Sequence, residues 1–288
     1  MSKMILAAPV VDGHALTENL INNFHKTTAG DTKLVVVDNS SETPYKRNEP
    51  LYDLLTYDEN KGYYYPLIDL YNEYPDAEYI GLIHNDMVLY EQGWDLRMQQ
   101  AFADDPQLGL IGLCGSSEID QNGGRGGGTM VFFRGGAIDV AGTIINGQDQ
   151  AAGARIHGVE PSVCLDSLFM MFRRDVIPHL MNDRDPWADV TLAHFYDRIW
   201  PIRTIEAGYR VATMGVECDH LGGMTTTGNI RYRDDCIKWL EDRNIPYDNP
   251  ETEMYLVAER RYLGEYREEK RFLPCIVDKS YGIRYLAR

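Results

Sequence analysis

The chain has 288 residues, with 44 acidic against 28 basic side chains and a formal charge of −16. That balance argues against a sequence-independent grip on DNA or RNA phosphates, which needs clustered Lys and Arg to displace counterions. No run approaches the roughly 20 apolar residues that span a bilayer, and the start lacks a signal-peptide core followed by a small-residue cleavage site, so a cytoplasmic protein is expected. Cys114, Cys164, Cys218, Cys236 and Cys275 are odd in number and far apart, with no C-x-x-C pair. They read as buried thiols rather than as disulfides or a zinc site.

In chain order, residues 4–8 are a short apolar strand, 15–25 carry apolar residues at helical spacing, and 33–37 are a second strand. Asp38-Asn39-Ser40-Ser41 breaks that strand. A brief strand at 54–57, a helix at 62–74, a strand at 79–83, a helix at 93–103 and a strand at 108–113 follow. This alternation predicts βαβ units and a mostly parallel sheet flanked by helices. The six-residue run 123–128 holds five glycines and reads as a loop, either a lid or a loose surface segment. Strands are predicted at 130–133 and 142–145, a single apolar strand carrying Asp166 at 163–174, helical character at 187–199, and a strand at 209–214. Beyond residue 229 the pattern is mainly helical, at 232–243 and 251–266, with a last strand-like run at 272–277. One domain over 1–228 with a helical extension over 229–288 packed on it is the expected division.

Polar residues interrupt or end several of these apolar strands, and a buried polar group is costly unless it is paired or holds a ligand. They are Asp38, Asn60 with Gly62, the cluster His84-Asn85-Asp86, Asp166, and Asp219-His220. Ligands of open α/β sheets sit beyond the carboxyl ends of the strands, so the first three groups are expected to converge. Converging carboxylates repel unless a cation joins them. The hard oxygen of Asp86 suits Mg²⁺ or Mn²⁺, and an imidazole such as His220 tilts the choice towards Mn²⁺. Blander readings stand beside these: Asx turns at Asp38 and at Asn85-Asp86, a helix N-cap at Asn60, and a structural histidine at 220.

The order Val37-Asp38-Asn39-Ser40-Ser41, Asn60-Lys61-Gly62, His84-Asn85-Asp86, Leu165-Asp166-Ser167 with Arg173-Arg174, His194-Phe195-Tyr196-Asp197, Gly208-Tyr209-Arg210-Val211 and His220-Leu221-Gly222-Gly223 resembles glycosyltransferase family 2, with the GT-A fold. The His-Phe-Tyr-Asp stretch and the later His are most similar to its streptomycin-biosynthesis-type branch. The resemblance runs from about residue 3 to 228, and it rests on the order of the motifs rather than on any one of them.

The resemblance implies a metal-dependent, inverting transfer of sugar from a nucleotide-diphosphate donor, UDP-linked, to a hydroxyl. Asp38 would accept hydrogen bonds from base or ribose, with Pro9 lining the same slot, and Asn60 and Gly62 would lie along the nucleotide. Asp86 takes the last position of a D-x-D-like metal motif. Because His84 stands where the first Asp is common, only Asp86 and His220 are assigned to the metal, and His84 and Asn85 to ribose or sugar hydroxyls. Asp197 would be the general base, against the alternative of an exposed ion-pair partner beside Arg198. Asp166 would contact donor sugar or acceptor, although Ser167 replaces the family's glycine.

Tyr63-Tyr64-Tyr65, Trp187 and Trp200 read as packing residues, and Arg173 and Arg174 as surface charges ending a strand. The acceptor could be a glycan, a lipid-linked sugar, a protein, a small metabolite or a modified nucleobase. Nucleic acid is disfavoured by the overall charge, although Arg231, Arg233, Arg260, Arg261, Arg267, Lys270 and Arg271 form a local basic run. A sugar-phosphate nucleotidyltransferase is a second reading, weakened by the single glycine in 7–13. A catalytically inactive carbohydrate-binding protein of the same fold is a third.

Overall fold

Strands and helices alternate through the first part of the chain: β1 (Met4–Val10), α1 (His14–Thr27), β2 (Thr32–Asn39), β3 (Asp53–Tyr57), α2 (Tyr64–Glu73), β4 (Tyr79–Ile83), β5 (Met87–Leu89), α3 (Trp94–Asp104) and β6 (Leu108–Gly112). Short strands then follow: β7 (Cys114–Ser116), β8 (Glu118–Ile119), β9 (Thr129–Val131), β10 (Gly135–Ile138), β11 (Ile144–Gln148), β12 (Val159–Pro161), β13 (Cys164–Leu165) and β14 (Phe169–Arg173). The remainder holds α4 (Ile177–Leu180), α5 (Tyr196–Glu206), β15 (Arg210–Met214), β16 (Cys218–His220), α6 (Ile230–Glu241), β17 (Cys275–Val277) and β18 (Ile283–Tyr285). The computed structural model describes residues 3–48, 50–119, 129–131, 135–138, 144–148, 156–180, 196–221, 230–250, 253 and 275–286.

An eight-stranded sheet in the order β12-β15-β6-β14-β4-β1-β2-β3 forms the centre. β1 pairs in parallel with β2 and β4, β2 with β3, and β15 with β6. β14 runs antiparallel to both β4 and β6, and β12 antiparallel to β15. The carboxyl ends of β1, β2, β3, β4, β6 and β15 therefore share one edge, and β14 begins at that edge.

Strand periodicity explains the layers. Along β1, Ile5 and Ala7 face a core with Leu67 and Leu70 of α2 and Trp200 of α5. Met4, Leu6 and Ala8 face the opposite core, with Leu20 and Phe24 of α1 and Trp94, Met98 and Phe102 of α3. Both faces are covered, which is why the central strands read as unbroken apolar runs. The α2-side core also takes Cys236, Trp239 and Leu240 of α6 and Cys275 and Val277 of β17, and β17 pairs with β8.

Three expectations are revised. The apolar run 163–174 is two strands, because Asp166 turns the chain: its N–H donates to the Cys114 carbonyl at 2.8 Å and its Oδ1 accepts from Leu168 N–H at 3.3 Å. Arg173 and Arg174 are not solvated charges. Arg173 donates to the carbonyls of Phe102 and Leu108, at 2.7 and 3.0 Å. Arg174 donates to those of Tyr71 and Tyr74, at 2.7 and 2.9 Å, with its guanidinium 4.0 Å from the Tyr71 ring centre. Each guanidinium closes the carbonyl end of a helix, where positive charge is favoured. The helix expected over 187–199 is described from Tyr196 and continues to Glu206.

All five cysteines are buried, none in a disulfide. Among the described residues no helix is long and apolar enough to cross a membrane. The glycine run 123–128, Trp187, His194, Phe195, Gly222, Gly223, most of the helix expected over 251–266 and the basic residues from Arg260 to Arg271 lie outside the described residues.

Candidate active site

The apolar strand β4 delivers His84, Asn85 and Asp86 to the shared sheet edge. His84 N–H donates to the Leu168 carbonyl at 2.9 Å, and Met87 N–H returns to the His84 carbonyl at 3.3 Å, so the three polar residues form a turn. The chain then runs into β5, which pairs antiparallel with β16: Met87 opposite His220, Val88 opposite Asp219, Leu89 opposite Cys218. Leu221 N–H donates to the Asp86 carbonyl at 2.9 Å. This small ribbon brings His220 beside Asp86 across more than a hundred residues of sequence.

Asp86 Oδ1 lies 3.3 Å from His220 Nε2 and 3.8 Å from His84 Nδ1. One ligand atom from each of the three side chains falls within 4.8 Å of the others. His84 Nε2 and Asp86 Oδ1 are shielded from solvent without an aligned hydrogen-bond partner, an arrangement that costs free energy unless a ligand completes it. Burial pushes the Asp86 carboxyl up, but the adjacent imidazoles outweigh it and hold the group below its ordinary value. Burial drives the His84 imidazole down, against the pull of Asp86; neutral imidazole is the form that ligates metals. Two imidazole nitrogens and one carboxylate oxygen fit a divalent cation of the Mn²⁺ type better than Mg²⁺, which prefers all-oxygen surroundings.

An aromatic wall runs from this cluster to α5. The Tyr63 ring lies 5.4 Å from His84 and 5.0 Å from Tyr196, nearly parallel to the latter at 25°. Tyr196 leans in turn on Trp200, 4.8 Å away. Trp200 is 2% exposed and belongs to the core. Burial raises the phenols of both tyrosines, so they stay protonated. Asp197 follows Tyr196 in the first turn of α5 and is only 8% exposed, which removes the reading of it as a solvated surface charge. The Asp166 carboxylate is near enough for its charge to oppose, weakly, the burial that drives the His84 imidazole down, and to add to the rise at the Tyr196 phenol.

The residues expected to line a nucleotide sit at or just beyond the ends of the first strands. Pro9 is buried in β1, paired with Val37. Asp38 is 1% exposed; its Oδ1 accepts from Ser41 N–H and its Oδ2 from Tyr45 N–H, both at 2.9 Å. It thus makes the Asx-type turn and organises residues 40–45. Asn60 Oδ1 accepts from Gly62 N–H at 2.9 Å rather than capping α2, whose N-cap residue is Tyr63. Gly62 has φ 63°, which favours glycine. The Asn85 amide donates to Thr17 Oγ1 at 3.1 Å.

The sequence profile of a family described as "Glycosyltransferase like family" matches residues 68–238, more than half of the chain. The chain belongs to that family. No curated protein matches it by sequence. Among solved structures it is similar to GalNAc-T7 with UDP, GalNAc and Mn²⁺, at 8% identity and a TM-score of 0.52 over 83% of this chain. The match covers 48% of that protein, so the chain spans about half its length. The mannosyltransferase PcManGT from Pyrobaculum calidifontis in complex with GDP-Man and Mn²⁺ matches at 13% identity and a TM-score of 0.49, over 93% of this chain and 72% of that one. At such identities the likeness to GalNAc-T7 speaks for the fold: a GT-A-type mixed, mostly parallel sheet flanked by helices.

Sequence reasoning about this glycosyltransferase-like chain missed three residues. Tyr63, expected to be a packing residue, packs against His84 and Tyr196. His84, expected at ribose or sugar hydroxyls, lies with Asp86 and His220. Asn39, 4% exposed, accepts from Lys61 N–H at 2.6 Å and donates to the Gly62 carbonyl at 3.0 Å, holding the loop after β3 against the end of β2. The one available signal for Asn39 was period two: next to Asp38 on a buried strand, it must face the other side.

Proposed function

We propose that the protein is a metal-dependent, inverting glycosyltransferase that moves a sugar from a nucleotide-diphosphate donor, UDP-linked, to a hydroxyl acceptor. The convergence of His84, Asp86 and His220 at the carboxyl edge of the sheet carries this reading. Those three side chains would hold Mn²⁺, or Mg²⁺ with more added oxygen ligands. Held there, the cation would supply positive charge against a leaving diphosphate.

The chain's own groups do the rest. Pro9, Asp38, Asn60 and Gly62 frame the nucleotide slot, Asp38 chiefly by shaping loop 40–45. Asp166 meets the donor sugar or the acceptor. The Asp197 carboxylate takes the acceptor hydroxyl's proton as that oxygen bonds to the anomeric carbon and the carbon–phosphate oxygen bond breaks. Attack from the face opposite the diphosphate inverts the anomeric configuration. The streptomycin-biosynthesis-type branch belongs to the same proposal, on the strength of Tyr196-Asp197 and His220. The test is a panel of nucleotide sugars with Mn²⁺, reading released nucleoside diphosphate. Turnover of one donor, lost on chelation, is the expected result; silence across the panel would overturn the reading.

A further inference from the structure

A partly buried chain of hydrogen bonds, centred on the buried Thr17, joins the nucleotide side of the site to the turn that carries His84 and Asp86. Asn85 Nδ2 donates to Thr17 Oγ1 at 3.1 Å, Thr17 Oγ1 meets Tyr45 Oη at 2.8 Å, and Tyr45 Oη donates to the Asp12 carbonyl at 2.6 Å. The polarity is fixed by counting protons. A carbonyl only accepts, so the Tyr45 proton goes to Asp12; Thr17 must then donate to Tyr45, which leaves its oxygen to accept from Asn85. The longer approach of Thr17 Oγ1 to the Gly13 carbonyl, 3.3 Å, is the minor branch of the same proton.

The links come from separate segments of the chain. Asp12 and Gly13 lie between β1 and α1, Thr17 in α1 is 0% exposed, and Tyr45 belongs to the loop that Asp38 organises. Asn85 stands between His84 and Asp86. The surroundings leave little slack: a Cβ on Gly13 would meet Asn85 Nδ2 at 3.2 Å, and Gly13 has φ 64°. On its other side the Tyr45 ring stacks on His14, with centroids 4.1 Å apart.

We propose that Thr17 and Tyr45 are positioning residues: through Asn85 they clamp the His84-Asn85-Asp86 turn to loop 40–45 and set the spacing between the cation ligands and the nucleotide side. The part concerning the cation rests on the function proposed above, whereas the clamp does not. A directed chain of hydrogen bonds running through a fully buried hydroxyl, Thr17, has only one satisfied arrangement there, so it specifies geometry rather than merely adding stability. Groups that orient metal ligands from behind change metal affinity when removed, by about 10–100-fold.

The experiment compares wild type, Thr17→Ser, Thr17→Val and Tyr45→Phe by amide hydrogen exchange and by Mn²⁺ titration calorimetry without nucleotide. Thr17→Val and Tyr45→Phe are expected to raise exchange in residues 84–89 about tenfold while α3 stays protected, and to weaken Mn²⁺ about 10–100-fold. Thr17→Ser, which keeps the hydroxyl, should match wild type. Should Thr17→Val fail to fold, Tyr45→Phe carries the test, since it removes one oxygen and keeps the ring. Unchanged exchange at 84–89, or an equal rise throughout the chain, overturns the clamp. Raised exchange with unchanged Mn²⁺ affinity overturns its link to the ligands. A wild type that takes no Mn²⁺ while the variants loosen the turn leaves the clamp standing and brings down the cation reading instead.

Discussion

Asp197→Asn separates a catalytic carboxylate from a structural one. The residue lies in the first turn of α5, where a negative charge is stabilised by the helix dipole by about 0.3–1 kcal/mol. If that were its whole role, the near-isosteric amide would lower Tm by no more than roughly 4 °C and leave transfer intact. A general base contributes about 10²–10⁴ in rate, which is about 3–5 kcal/mol of transition-state stabilisation at 1.36 kcal/mol per tenfold. The two effects differ several-fold in energy and are read by different instruments. The assay measures donor binding by calorimetry, kcat for transfer and Tm on the same preparation. The expected result is unchanged donor affinity, a small Tm shift and a kcat lowered at least a hundredfold. Near-normal turnover would refute the assignment and move the base elsewhere, with Asp166 the next group to test.

Tyr63→Ala removes two ring contacts of roughly 0.5–1.5 kcal/mol each and should weaken Mn²⁺ binding about tenfold by calorimetry, whereas Tyr63→Phe should bind as wild type. Arg174→Leu removes the guanidinium from the Tyr71 carbonyl and leaves the Tyr74 carbonyl only the Ala77 N–H, and should cost about 2–3 kcal/mol in urea unfolding. For Asp53, burial alone would raise the carboxyl, but its hydrogen bonds from Lys33 and the Tyr74 hydroxyl outweigh that and depress it. A depressed native pKa means a stabilisation fully present above the unfolded value and lost as pH falls through the lower folded one. Asp53→Asn should therefore cost about 0.5–1 kcal/mol at neutral pH, with the gap to wild type closing below roughly pH 4.

The central sheet was legible because strands covered on both faces read as continuous apolar runs: 79–83 coincides with the observed strand, and 4–8 and 33–37 differ from theirs only at the ends. The ends of those runs also marked where polar residues gather. The ribbon of β5 and β16 was not legible, since three residues on each side carry no usable period. Without that ribbon, nothing local shows that His84 and His220 flank the same carboxylate. Arg173 and Arg174 misled for a related reason: they look like charges at a strand end, and only packing reveals two helix termini waiting there. Asp166 misled because its Asx-type turn split one apolar stretch into strands belonging to different sheets. Tyr63 was hidden by its neighbours, since three consecutive tyrosines opening a helix carry no sign of which one faces the site.

The most direct measurement is the affinity of a nucleoside diphosphate with Mn²⁺ and with chelator, in wild type and in His220→Ala. The expected result is wild-type binding that depends on Mn²⁺ and a His220→Ala protein that remains folded yet loses most of that dependence. Equal affinity with and without the cation in wild type, or undiminished Mn²⁺ dependence in His220→Ala, would contradict it.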